Sequence, residues 1–208
     1  MTLLFCFEIS LCLLACRGSI YGSSLRCTLD RVGLCGPFTR WLIGSANFLV
    51  VMNTAVQGDV IAIASDHAGF SLKVILREDI ERKGFRALDL GTDSLDPADY
   101  PKIAESLALT VASGKARFGV VLCGTGIGVS IAANRHLGIR AALCHNVETV
   151  RLGRRHNDAN VLALGARVID EVTARACLQE FLVTEFEKAE RHSRRVAMLD
   201  KAVNGTLL

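Results

Sequence analysis

The sequence predicts an α/β fold: a three-layer sandwich with helices on both faces of a five-stranded parallel sheet and one further helix at the C-terminus. Three observations predict it. Short apolar runs alternate along the chain with longer segments whose apolar residues recur at helical spacing. The runs show almost no alternation with polar residues, as strands covered on both faces require. The 208 residues are half hydrophobic and only 6% aromatic, which suits one such domain with a sizeable core. This is the doubly wound, Rossmann-like arrangement.

The elements follow in order. VIAIAS (60–65) is the first strand and ends at the polar pair Asp66-His67. SLKVILREDIERKG (71–84) carries Leu72, Ile75, Leu76 and Ile80 on one helical face, with Gly84 as its stop. FRALDLG (85–91) is the second strand and TDSLDPADY (92–100) a polar loop. PKIAESLALTVASG (101–114) is a helix with Pro101 in its first turn and Gly114 after its end. FGVVLCG (118–124) is the third strand, IGVSIAANRHLG (127–138) a helix closed by Gly138, and IRAALC (139–144) the fourth strand. NVETVRLGRRHN (146–157) is a helix with a basic end, and ANVLALG (159–165) the fifth strand. DEVTARACLQEFLVTEFEKA (170–189) reads as one long amphipathic helix capped by Asp170. RHSRRVAMLDKAV (191–203) is the last helix.

Composition excludes several classes of function. A net charge of +3, with Lys and Arg scattered, does not describe a nucleic-acid binder. Of eight cysteines, Cys6, Cys12, Cys16, Cys27 and Cys35 precede residue 58, and Cys123, Cys144 and Cys177 follow it. No CxxC pair occurs, so no metal site and no dithiol is expected. The later three read as reduced thiols of a cytoplasmic protein. The apolar start, MTLLFCFEISLCLLACRGS, lacks a basic residue ahead of its apolar run, and Glu8 interrupts it. Its uninterrupted part, Ile9 to Cys16, is far shorter than the ~20 residues that span a bilayer. Residues 1–57 are expected to be an N-terminal extension, disordered or a mis-assigned start with Met52 as initiator, with a targeting segment as the third reading. Residues 58–208 are expected to form the domain.

In doubly wound sheets ligands bind outside the carboxyl ends of the strands. Cys123 stands at such an end, at the head of CGTGIG. The glycine spacing is GxGxG rather than the GxGxxG of dinucleotide sites, GK[ST] is missing, and Val129 stands where a phosphatase loop needs arginine. What remains is a thiol at a helix start, where the macrodipole and unpaired N–H groups favour negative charge. Glycines also let amides approach a ligand oxygen, so the stretch suits a base beside an oxyanion site. A buried cysteine at a tight turn is the plainer alternative. Asp66 and His67 are either an N-cap with an incidental histidine or contacts to a polyhydroxyl ligand. His156 lies in RRHNDAN among Arg154, Arg155, Asn157 and Asp158, either a solvated turn or an oriented acid/base. Arg191 and Arg195 share a helix face and suit a phosphate, or form a solvated basic end. His136 and His145 read as incidental.

SDHAG, DYP, CGTGIGVSIAANR, GIRAALC, RRHNDANVLALGARV and ERHSRRV together have the order and spacing of the ribose-5-phosphate isomerase B family, which the chain resembles from Gly58 to Ala202. That family includes the related galactose-6-phosphate and allose-6-phosphate isomerases. The resemblance implies interconversion of D-ribose 5-phosphate and D-ribulose 5-phosphate through a cis-enediolate, in the non-oxidative pentose phosphate pathway. It implies no metal or organic cofactor, a cytoplasmic protein without membrane or nucleic-acid partners, and a homodimer or homotetramer whose active sites are shared between subunits. By position, Cys123 matches the catalytic base and His156 the ring-opening residue. Thr125 and the backbone from Gly124 through Gly126 and Ile127 to Gly128 match the enediolate site. Asp66, His67 and Asn157 match substrate contacts, and Arg167, Arg191 and Arg195 the phosphate contacts. Members with serine at the cysteine position use a glutamate base; this chain is of the thiol type. An isomerase of a six-carbon sugar phosphate is the nearest alternative, and a non-catalytic sugar-phosphate binder on the same fold is a more distant one.

Overall fold

The computed structural model describes Ala55 and residues 57–203, with the side chains described as far as residue 200. The expected extension, 1–57, otherwise lies outside the described residues. Five strands, β1 (Val60–Ser65), β2 (Arg86–Asp89), β3 (Phe118–Cys123), β4 (Ala141–Leu143) and β5 (Val161–Gly165), form one parallel sheet in the order β2-β1-β3-β5-β4. Among the described residues, one α-helix follows each strand and a sixth ends the series: α1 (Phe70–Arg82), α2 (Tyr100–Ala112), α3 (Ile127–Ala133), α4 (Val147–Asn157), α5 (Glu171–Val183) and α6 (Glu190–Val203).

The two faces of the sheet differ in side-chain size. Ile61, Ile63, Phe118, Val120, Leu122, Leu162 and Leu164 pack against Leu72, Leu76 and Ile80 of α1 and Leu178 and Phe181 of α5. The alternate residues, Ala62, Ala64, Val121, Val161 and Ala163, face Leu107 and Val111 of α2 and Val129 of α3. Strand periodicity of two assigns each set to its own face. The small residues bring α2 close: a Cβ on Gly119 would lie 2.6 Å from Leu107 Cδ2.

Two elements are shorter than their periodicity suggests. The helix expected over 170–189 ends at Val183, with Thr184 extended. Tertiary hydrogen bonds draw the following segment away: Arg154 Nε donates to the Thr184 carbonyl at 3.2 Å, and the Glu187 amide donates to the Arg155 carbonyl at 2.9 Å. The chain is thereby strapped along the end of α4. The helix expected over 127–138 ends at Ala133. The Asn134 side chain then pairs with both backbone groups of Ala141, at 2.8 and 2.9 Å, so that it docks on edge strand β4. Asp170 caps α5 as expected, accepting from the Thr173 amide at 2.7 Å, a bond that lowers its carboxyl pKa. Among the described residues no helix is long and apolar enough to cross a membrane.

Candidate active site

The chain leaves β1 for β2 on one side and returns to β3 on the other, so a crevice opens at the carboxyl ends of β1 and β3. The Asp66 amide donates to the Leu122 carbonyl there. Cys123 ends β3 and is buried, and its Sγ accepts the Gly126 amide hydrogen at 3.1 Å. Gly126 turns the chain with φ +77°, and a Cβ on it would lie 2.5 Å from Leu143 Cδ1. Thr125 crosses the end of β5 directly over Gly165, where a Cβ would lie 2.5 Å from the Thr125 carbonyl. The Thr125 hydroxyl accepts from the Ile127 amide at 3.3 Å. Two amides of the Gly124–Gly128 stretch, those of Gly126 and Ile127, thus already have acceptors inside the loop.

Three more of the expected residues meet this loop or its neighbour. Asp66 is buried and accepts from the amides of Ala68 and Gly69 at 2.9 and 3.1 Å, so it does act as the cap of a short turn. His67 accepts the Ala98 amide at Nδ1, 3.3 Å away, which leaves Nε2 as the donor end of the ring. Arg167 donates its amide to the Gly124 carbonyl at 2.9 Å and lays its side chain over Gly124.

His156 and Asn157 lie elsewhere. Helix α4 starts after the carboxyl end of β4 and runs back across the sheet, ending near the start of β5. Five residues of β5 therefore separate this end from the Cys123 loop, roughly 15 Å at ~3.3 Å per residue. The end of α4 is held firmly. Arg154 is fully buried, donating to Asp158 at 3.0 Å and to the Ala159 carbonyl at 2.6 Å, with its guanidinium 4.6 Å from the Phe118 ring centroid. Burial pushes its pKa down, while Asp158 opposes that shift. Asp158 sits in the left-handed region, φ 46°, and also accepts from Arg140 at 3.0 Å.

Arg191 and Arg195, on α6, belong to this second cluster: Arg191 Nε donates to His192 Nε2 at 3.1 Å, and the His192 ring stacks on His156. Asn157 lines a cavity of about 480 Å³ bounded by Arg140, Ala142 and Leu199. One copy of the chain therefore brings Asp66, His67, Cys123, Thr125 and Arg167 together and gathers His156, Asn157, Arg191 and Arg195 at the other end of the sheet. The motif reading passed over His192 and Glu187, although His192 stands inside the ERHSRR stretch.

The three described thiols are unbridged and buried but differ in surroundings. Burial pushes the Cys177 thiol up to about 11 and raises Cys144 as well. Of these three, Cys123 is the one whose sulfur accepts the Gly126 amide hydrogen.

The pattern of the ribose/galactose isomerase family matches residues 61–199. The chain belongs to that family. It is an enzyme of the isomerase class. Ribose-5-phosphate isomerase B of Escherichia coli is 42% identical over 136 residues, covering 65% of this chain and 91% of that protein. Ribose-5-phosphate isomerase B of Clostridium thermocellum superposes with a TM-score of 0.69 at 40% identity, covering 71% of this chain and 99% of that one. The ribose 5-phosphate isomerase of Thermotoga maritima gives 0.67 at 45% identity, covering 69% and 98%. The isomerase match takes in both clusters, since it starts within β1 and ends within α6.

Proposed function

We propose that the chain interconverts D-ribose 5-phosphate and D-ribulose 5-phosphate by proton transfer through a cis-enediolate. The observation that carries this reading is the Gly126 N–H on Cys123 Sγ, at a strand end where Arg167 covers the same loop. That N–H fixes the sulfur at the mouth of the loop, where the side chain can act as a base. Cys123 takes the proton from C2 of the open-chain aldose and returns it to C1, while a proton moves from the C2 hydroxyl to the C1 oxygen. The charge that builds on oxygen meets the amides of the Gly124–Gly128 stretch. Asp66 and His67 contact the sugar hydroxyls, with His67 Nε2 as donor.

Ring opening needs a proton removed from the anomeric hydroxyl and one given to the ring oxygen, which is the role of His156. Arg191 and Arg195, with Arg167, hold the phosphate, and Asn157 contacts the sugar. Since one copy places these residues at opposite ends of its sheet, the working site is formed by two copies. One supplies the Cys123 loop and the other the α4–α6 cluster, in a homodimer or homotetramer. Every step is a proton transfer, and neither metal nor organic cofactor has a part in it. Location in the cytoplasm, without membrane or nucleic-acid partners, belongs to the same proposal.

The test is an NMR isomerase assay in deuterated water with ribose 5-phosphate, allose 6-phosphate and galactose 6-phosphate, with Cys123→Ser alongside. Solvent deuterium should enter the sugar, and kcat/KM should be highest for ribose 5-phosphate. Cys123→Ser should lower kcat by about 10³-fold with KM nearly unchanged. A near-normal kcat would sink the thiol-base assignment, and a preference for a six-carbon sugar would move the substrate.

A further inference from the structure

Between the two groups assigned to ring opening and phosphate binding lies a side chain with no assigned role. His192, in the first turn of α6, is 5% exposed although its neighbours Arg191 and Arg195 are exposed. One face of its imidazole covers the His156 ring, with centroids 4.4 Å apart and planes within 8° of parallel. Its Nε2 accepts the Nε hydrogen of Arg191. We propose that His192 is a positioning residue: it holds the His156 ring by stacking and the Arg191 guanidinium by hydrogen bonding, and so sets where both groups meet one sugar phosphate. This rests on the roles of His156 and Arg191 proposed above.

The chemistry of the cluster fits that task. An acceptor Nε2 requires a neutral ring with its proton on Nδ1. Burial disfavours the charged form of His192, and the adjacent His156 and Arg191 push in the same direction, with Glu187 opposing. A neutral partner can lie against His156 in either protonation state, which an acid/base needs, whereas two stacked imidazoliums would repel. The bond to His192 uses Nε of Arg191 and leaves its two Nη groups for an anion. It also limits the rotamers of a long side chain that would otherwise sample many. The ligand atoms of His156, Glu187 and His192 gather within 4.8 Å, as a metal site's would. The cationic guanidinium of Arg191 already engages His192 Nε2, so at that nitrogen the cluster is a hydrogen-bonded set.

Two variants separate the two contacts. His192→Phe keeps a flat ring but loses the acceptor. His192→Gln keeps an acceptor but loses the ring. Steady-state kinetics of the full chain would use ribose 5-phosphate and 4-deoxyribose 5-phosphate, which cannot close a furanose. His192→Phe should raise KM about tenfold on both sugars with kcat changed less than about threefold. His192→Gln should lower kcat about tenfold on ribose 5-phosphate, yet less than about threefold on the 4-deoxy sugar, with KM nearly kept. Parallel loss of kcat on both sugars in both variants, or no loss in either, would overturn the inference. Should His192→Phe not fold, the two-sugar ratio for His192→Gln decides alone. Arg191→Ala distinguishes the levels: with KM unchanged, the phosphate reading falls and this inference with it. With KM raised by Arg191→Ala but not by His192→Phe, only the inference falls.

Discussion

At the carboxyl end of the sheet the candidate site is made of backbone; at the amino end it is made of side chains. The Cys123 loop is shaped by a left-handed Gly126, by Thr125 lying on Gly165, and by an amide hydrogen on sulfur. The α4–α6 cluster has no such loop. It depends on buried Arg154 to fix the end of α4 and on the stack of His192 on His156 to seat α6 against it. A backbone site tolerates changes of surface side chains but not an added methyl group where strands and loop touch. A side-chain site fails when its anchor is removed. The first kind concentrates its determinants in one short motif, and the second distributes them.

The comparison can be broken at four points, taken from the largest expected effect. Arg154→Ala removes the guanidinium that joins Asp158, Ala159 and Thr184. It should cost about 3–5 kcal/mol of stability in urea unfolding, through the cavity left behind and the Ala159 and Thr184 carbonyls left without this donor. A cost under about 1 kcal/mol would show that α4 needs no such anchor. Gly165→Ala places a methyl group 2.5 Å from the Thr125 backbone. It should lower kcat by about 100-fold and stability by ~2–3 kcal/mol. Gly138→Ala, where φ is +76° but no atom lies within 4 Å, should cost only ~1 kcal/mol and spare kcat. Equal effects at Gly165 and Gly138 would remove the close approach as the cause.

His156→Ala should reduce turnover of ribose 5-phosphate by about 100-fold and that of 4-deoxyribose 5-phosphate by less than about threefold. Equal losses on the two sugars would end its ring-opening role. The smallest effect concerns the thiols. Folding lifts Cys177 from 9.0 to about 11, so the folded state favours the protonated form. That contribution is complete below pH ~9 and is lost as pH rises toward ~11, up to ~2 kcal/mol in all. Unfolding free energy measured between those pH values should fall less steeply in Cys177→Ala. Equal slopes would place the alkaline loss elsewhere.

Much of this was legible before the structure. Strands β1, β3 and β5 are found where their apolar runs stand, because a parallel strand covered on both faces has few polar positions to confuse the reading; edge strand β2, RALD, is largely exposed. CGTGIG was legible because its determinants are local: the thiol, the glycines and the hydroxyl lie within six residues. The end of α5 was not. Leu182 and Val183 continue the helical pattern, and a hydrogen bond from Arg154, thirty residues earlier, ends it. His192 was passed over because nothing in ERHSRR marks one histidine as buried among exposed arginines. Its partner His156 lies on another helix.

By itself, the sequence determined the class of fold, the order of the elements, the thiol at the end of β3 and the family to which the chain belongs. These depend on periodicity and on contacts between near neighbours in the chain. Only the tertiary structure decided that Cys123 and His156 occupy opposite ends of one sheet, and that Arg191 and His156 share a buried imidazole. Strand order, helix direction and ring stacking depend on residues far apart in the chain, and no local pattern records those distances.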